Sequence, residues 1–394
     1  ALDRRAGLRT AGYITGYRGS PLGNVDTTLW SIGDRLKAAG ILFQPGVNED
    51  LAATAVRGTQ QFDKVPGPKV DGVFAAWYSK GPGVDRSGDA LKHGNFAGAH
   101  RNGGVLLFYG DDHAGKSSTV AHHSEQAMAA SLIPSLYPAD VSELLEFGLL
   151  GFALSRYSGS WVAMKCVNDV AEQAATVDLA LDDFAPVLPP IGEDEIAAVH
   201  SRQGAFDPLG EERVVVERRL PRAHALVRAH GIDRPMIAAE TRRLGIVTAG
   251  KAYGDTRAAL ALLGLDDHAA AATGISLYKV GCIWPLEPDG LAAFARGHET
   301  LLVVEEKRPF LEEQIAALLI NEADRPLVIG KRDESKVPLL SATDPLDPVS
   351  IARAIAGRLE RLGRPGDPTR AAPGPLARGG PHNAPRPPRT PTFF

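Results

Sequence analysis

Short apolar runs alternate with stretches of helical spacing along most of this chain. The runs at 11–17, 41–44, 72–77, 105–109 and 161–167 are rich in branched and aromatic residues and read as strands. Between them, 27–39, 51–56 and 144–154 repeat apolar residues three and four apart, which predicts helices. This alternation predicts a doubly wound α/β unit around a parallel sheet, with strand order left open. A second α/β series starts at Leu244, with strands at 244–248, 275–280 and 301–305 and helical runs after them. Residues 186–240 interrupt the pattern: Pro186, Pro189 and Pro190 break structure, 213–219 is rich in charge, and 223–229 reads as a helix. From 363 to 394 proline, glycine and arginine dominate, a composition that predicts an extended or disordered tail. The expected organisation is one domain over 1–185, a connecting segment over 186–240, a second domain over 241–362, and the tail.

Composition narrows the class. A chain of 394 residues has room for two domains, and 44% apolar with 23% charged residues is the balance of a soluble protein. No window approaches the ~18 apolar residues of a spanning helix, so no membrane partner is expected. A net charge of −4 and the lack of a basic stripe with interleaved aromatics argue against nucleic acid. Leu2 to Arg9 is charged and poor in apolar residues, so a secretory segment is not expected and a cytoplasmic location is. Cys166 and Cys282 lie in apolar runs and read as buried thiols. Two distant cysteines fall short of the four thiolates an iron–sulfur cluster takes.

The candidate chemistry begins with Glu49. The run Ile41-Leu42-Phe43 ends at Pro45-Gly46, Asn48 is a good N-cap, and Leu51, Ala52, Ala55 and Val56 continue with helical spacing. Glu49 therefore falls in the first turn of a helix at the carboxyl end of a strand, where open α/β sheets bind ligands. Two readings are open: a carboxylate that only complements the helix dipole, or one that shares a proton with a bound heterocycle. Other apolar runs open into Gly16-Tyr17-Arg18-Gly19-Ser20, Lys80-Gly81-Pro82-Gly83 and Gly110-Asp111-Asp112-His113, suggesting one polar rim. Arg18 is either a fork for a carboxylate or a solvated surface cation, and Lys80, Asp85 and Arg86 line an edge or a solvated turn. Asp111, Asp112, His113, His122 and His123 invite a metal hydrolase, but their spacing matches no standard ligand pattern and no metal is expected. Asp112 and Ser117 read better as loop hydrogen-bonders. Lys116-Ser117 lacks the glycines of a phosphate loop, and Gly250 with Gly254 reads as a tight turn.

Taken together, GYRGSPLG (16–23), FQPGVNEDLAATAV (43–56), WYSKGPGVDRSGD (77–89), GDDHAGKSSTVAHHSE (110–125), WVAMKCV (161–167) and LGIVTAGKAYGD (244–255) resemble the thiamine diphosphate-dependent 2-oxoacid:ferredoxin oxidoreductases. The likeness is strongest to the amino-terminal half of the fused indolepyruvate enzymes. It implies a thiamine diphosphate-binding, pyrimidine-type doubly wound domain followed by a transketolase C-terminal-like α/β domain. By resemblance, Glu49 is the catalytic carboxylate at N1′ of the aminopyrimidine. Arg18 and Ser20 lie by the substrate, and Gly46, Asn48, Gly83, Asp85, Asp111 and Asp112 lie by the cofactor. The implied activity is oxidative decarboxylation of a 2-oxoacid, an aryl pyruvate such as indolepyruvate, to an acyl-coenzyme A, with electrons passed to ferredoxin in an oligomeric assembly.

The chain also departs from that pattern. It does not begin with Met, where family members carry a further short segment. It contains no Gly-Asp-Gly followed at the usual distance by Asn, the motif that holds Mg²⁺ and the diphosphate. It stops at Phe394, where the fused enzymes continue into a cysteine-bearing segment. The expectation is therefore a half-site: Mg²⁺, the diphosphate and any iron–sulfur cluster would come through a second domain or subunit, and the isolated chain would be inactive. The rival expectation is a truncated, non-catalytic chain that only binds a partner.

Overall fold

The computed structural model describes residues 2–61, 64–177, 184–192, 199–200 and 207–363. They divide into two compact units. The first comprises residues 1–112, 121–232 and 281–287, and the second 113–120, 233–280 and 288 onward.

The first unit holds β1 (Thr10–Gly16), β2 (Ile41–Phe43), β3 (Gly72–Lys80), β4 (Val105–Asp111), β5 (Ser135–Leu136) and β6 (Val162–Val167). The second holds β7 (Arg234–Ile237), β8 (Leu244–Ala249) and β9 (Ile275–Val280). The chain then contributes β10 (Cys282–Trp284) to the first unit, and β11 (Thr300–Val304) and β12 (Leu327–Ile329) to the second.

The first sheet runs β10-β5-β6-β4-β3-β1-β2, parallel throughout except for the antiparallel β10–β5 pair. Its centre is buried on both faces, which explains the continuous apolar runs there. Along β4, Val105, Leu107 and Tyr109 join the core under the helix Glu49–Thr59, while Leu106 joins the core under the helix Val141–Ser158. The second sheet runs β12-β11-β8-β9-β7, parallel except for β7, and packs Leu244, Ile246, Leu302 and Val304 against the helices Gly250–Leu262 and Pro348–Leu362.

Capping chemistry sets the helix limits. The Asn48 side chain accepts the Leu51 N–H at 2.9 Å, so the predicted 51–56 helix starts earlier, as Glu49–Thr59. The predicted 144–154 helix grows to Val141–Ser158 because Asp140 caps the Glu143 N–H and Glu143 Oε2 accepts the Ala139 N–H at 3.0 Å. It stops at Gly159, whose φ of +81° places it in the left-handed region. The single helix predicted over 27–39 is instead two, Asn24–Ser31 and Gly33–Ala38, divided at Ile32. The charged stretch 213–219 is helical. The helix Pro208–Val214, a π-helical turn Val215–Arg219 and the helix Leu220–Ala229 run on continuously, capped by Asp207. Fully buried Arg219 holds this run down by donating to the carbonyls of Val199 and Asn95, both at 2.7 Å. Parts of the predicted connecting segment (193–198 and 201–206) and the tail from 364 lie outside the described residues.

Candidate active site on the first sheet

In a parallel sheet all carboxyl ends meet at one edge. From β1 the chain winds outward to β2 and then returns to place β3 on the other flank of β1, so the winding direction reverses between β1 and β3. In such folds the usual ligand position is the crevice at the carboxyl edge where the winding reverses. The loops beginning at Tyr17 and Gln44, and the helix Gly81–Arg86, all start there.

Glycines bring these loops together. A Cβ on Gly16 would stand 2.1 Å from the Tyr78 carbonyl oxygen. Its absence lets Tyr17 donate its N–H to that oxygen at 3.0 Å, while Gly46 donates to the Gly16 carbonyl at 2.8 Å. The β1 loop then folds across the tips of the neighbouring strands. Gly19 lies on the stem of Lys80, with 2.7 Å between a built Cβ and Cδ, and Pro21 lies on Gly110 in the same way. Asn168, directly after β6, donates from Nδ2 to Ser20 Oγ at 3.3 Å and pins the loop. Beneath it, the buried Tyr78 hydroxyl donates to Asp26 of the helix Asn24–Ser31. Burial and the Asp26 charge hold that phenol far above the usual tyrosine range.

Glu49 is the first residue of its helix, and its position is fixed at two points. Its carbonyl accepts the Trp77 indole N–H at 3.0 Å. Its side chain rests on Gly83, where a Cβ would come within 2.6 Å of Glu49 Cγ, 2.7 Å of Oε1 and 1.9 Å of Ser79 Oγ. The helix Gly81–Arg86 thus presents bare backbone to the carboxylate. Beside it, Arg86 bonds Asp50 at 2.9 Å, which lowers the carboxyl and raises the guanidinium from their ordinary values. Both groups are exposed, so the pair adds little to stability.

The structure therefore gathers Arg18, Ser20, Gly46, Asn48, Glu49, Gly83 and Asp85 in the loops and first helical turns at one sheet edge. Their roles differ. Arg18 is exposed, Asn48 caps the helix, and Gly46 allows a close approach to the Asn48 carbonyl. Asp85 is exposed, with the His122 ring nitrogen 3.7 Å away, and His122 packs against Gly81.

Asp111 requires a correction. It does not face the rim: it is fully buried, accepts the Ser124 N–H and hydroxyl at 2.7 and 2.6 Å, and lies 3.4 Å from Lys165 Nζ. Lys165 also bonds Glu125 at 2.7 Å. Burial opposes the charge on Lys165, but the two carboxylates prevail and raise its pKa well above the ordinary value. This network anchors the helix Glu125–Ala130. Asp112 is also buried, and its carbonyl accepts the His122 N–H at 3.1 Å. His123 turns to Gln126, and His113 belongs to the second unit, 3.8 Å from Glu306. Among the described residues no three His, Cys, Asp or Glu side chains form a set able to hold a metal ion.

Sequence reasoning passed over Trp77 and the Lys165 network. Trp77 carries no mark that separates it from core. Lys165 did carry one, a lone charge within an apolar strand, which signals a buried partner. Both cysteines are buried and free, and burial with the nearby Asp111 pushes the Cys166 thiol up to about 12.

Residues 234–378 match the family model described as the indolepyruvate oxidoreductase domain. The chain is 23% identical over 365 residues to indolepyruvate oxidoreductase subunit IorA of Methanothermobacter marburgensis, covering 90% of this chain and 54% of that one. It is likewise 23% identical over 345 residues to the IorA subunit of Pyrococcus abyssi, covering 84% and 48%. The chain thus spans about half the length of the curated relatives it matches. Among solved structures it resembles the 2-oxoglutarate:ferredoxin oxidoreductase of Magnetococcus marinus, with a TM-score of 0.60 at 15% identity, covering 89% of this chain and 62% of that one. It also resembles a split-gene transketolase described as an inactive β4 tetramer, with a TM-score of 0.52 at 12% identity, covering 89% and 93%. These likenesses show the fold: two α/β units of the kind found in that oxidoreductase and in transketolase. The sequence likeness is thus to subunits of indolepyruvate oxidoreductases, and the fold is shared with a 2-oxoacid:ferredoxin oxidoreductase.

Proposed function

We propose that this chain is the pyrimidine-side component of an enzyme that oxidatively decarboxylates a 2-oxoacid, an aryl pyruvate such as indolepyruvate, to an acyl-coenzyme A with ferredoxin as acceptor. The observation that carries this reading is Glu49: a carboxylate at the carboxyl edge of the sheet, held by Trp77 and backed by a glycine that leaves room beside it. That arrangement fits thiamine diphosphate, which when bound supplies the carbon that attacks the 2-oxo group. Glu49 would hold a proton at the ring nitrogen of the aminopyrimidine. Gly83 keeps the space beside that carboxylate clear, and Asn48 and Trp77 keep the first turn from rotating away. Ser20 and Arg18 belong to the loop that would face the substrate. Asp85 with Gly46 would border the cofactor, Asp112 would support that border through its carbonyl, and Asp111 would act only through Ser124.

The family model and the IorA relatives, named for indolepyruvate, support the aryl substrate, and the Magnetococcus enzyme, which binds coenzyme A, supports that acceptor. We assign the diphosphate, its Mg²⁺ and the iron–sulfur clusters to a partner domain or subunit. The chain lacks the sequence motif for the first two, and its two cysteines are both buried and fall short of the four thiolates a cluster takes. Among the described residues no helix is long and apolar enough to cross a membrane, and cytoplasmic operation is part of the proposal.

The test is Glu49→Gln in the complex reconstituted with its diphosphate-binding partner. Substitution is expected to lower kcat by about 100-fold or more, the scale of a lost acid–base group. Dye reduction with 2-oxoacids left at the wild-type rate would refute the reading.

A further inference from the structure

We infer that Lys80, rather than Arg18, is the cation that receives the substrate carboxylate, an assignment that rests on the reading proposed above. Lys80 is the last residue of β3, at the flank of the crevice. Side chains alternate along this strand. Trp77 and Ser79 lie toward Glu49 and its helix, whereas Tyr78 and Lys80 lie toward the loop that follows β1. Lys80 and Glu49 thus flank the tip of one strand from its two faces.

Elimination among the cations at this edge points the same way. Arg86 is bonded to Asp50, and Lys165 is buried between Glu125 and Asp111. Arg18 is exposed and has no hydrogen bond or ion pair among the described residues. Lys80 is half-buried, and Gly19 lies directly on its Cγ and Cδ, so the stem is held while the ammonium meets no hydrogen-bond or ion-pair partner among the described residues. The loop that covers it is itself held by the Asn168–Ser20 bond. An unpaired ammonium on a held stem beside the sheet edge suits a carboxylate better than an exposed surface guanidinium does.

The reaction predicts how Lys80 acts. When the bond between the carboxylate carbon and the 2-carbon breaks, its electron pair stays with the 2-carbon and the carboxylate leaves as neutral CO₂. The charge that Lys80 pairs with therefore fades along the reaction, and the pair is stronger in the bound substrate than in the transition state. Such an interaction governs KM and adds little to kcat.

The experiment compares wild type, Lys80→Met and Lys80→Arg in the reconstituted complex, measuring steady-state kinetics with 2-oxoacids and thiamine diphosphate affinity by calorimetry. Methionine keeps the stem under Gly19, so folding is preserved. The expected result for Lys80→Met is a KM raised about tenfold or more, with kcat within about threefold and cofactor affinity unchanged; Lys80→Arg should recover part of the KM. An unchanged KM in Lys80→Met would overturn the assignment. So would a parallel loss of cofactor affinity, which marks a structural role. A wild-type complex that turns over no 2-oxoacid would bring down the parent reading and this assignment together, whereas an active wild type with an indifferent Lys80→Met overturns only the assignment.

Discussion

A glycine contributes to a site by what it leaves out, and Gly83 is the clearest case. Adding a methyl there places carbon within 1.9 Å of Ser79 Oγ and 2.7 Å of Glu49 Oε1, both at restrained positions. Gly83→Ala should therefore displace the Glu49 carboxylate. We expect a destabilisation of about 1–3 kcal/mol and a larger proportional loss of activity in the reconstituted complex. Gly88, with nothing within 4 Å, is the control: Gly88→Ala should leave the melting temperature level or slightly raised. Thermal melts paired with activity decide it, and equal effects at the two positions would remove Gly83 from the site. At this scale the sequence was partly legible. Glu49 stood out because a cap, a strand end and a carboxylate fell in order. Asp111 misled because one sequence pattern serves both a rim carboxylate and a buried one, and only the position of Lys165 separates them.

The elements were more readable than their limits. Two-sided strands such as β4 announce themselves as apolar runs, but β5, β10 and β12 are two or three residues long and too short for any period. The 213–219 run shows no helical period in the sequence because its charges hide the buried positions Val214, Val215 and Arg219. Helix starts also draw on distant residues. In the second unit the buried Glu305 carboxylate accepts the N–H groups of Phe310, Leu311 and Glu312 and so caps the helix Leu311–Leu319. Burial outweighs those bonds and pushes its pKa up to about 7, above the ordinary value of 4.5. The folded state thus favours the protonated form, whose stabilisation is complete below the ordinary carboxyl pKa and is lost as pH rises through 7. Relative to Glu305→Gln, the wild type should lose stability between pH 4.5 and 7 and then level off. Urea unfolding across that range tests this, and a stability difference that stays flat or grows with pH would contradict it.

At the scale of the whole molecule, the α/β class and the family were legible because six segments matched one pattern at once. The proposed half-site leads to a measurement on binding. The crevice supplies a carboxylate and bare backbone but no sequence motif for a diphosphate, so most of the cofactor's charge would be held elsewhere. Titration with thiamine diphosphate and Mg²⁺ should give no measurable heat with this chain alone and saturable binding once the partner is present. Binding by the isolated chain would show that the charged half of the site is here after all; no binding in either case would favour a chain that only associates with a partner.

The path of the chain between the units has a consequence for inheritance and engineering. Residues 113–120 leave the first unit for the second, and 281–287 make the opposite exchange, bringing β10 to pair with β5. A gene cut between residues 232 and 233 would take β10 away and leave the two-residue β5 without its outer neighbour. Neither unit is one continuous stretch of chain, so no single cut in the gene yields either of them whole.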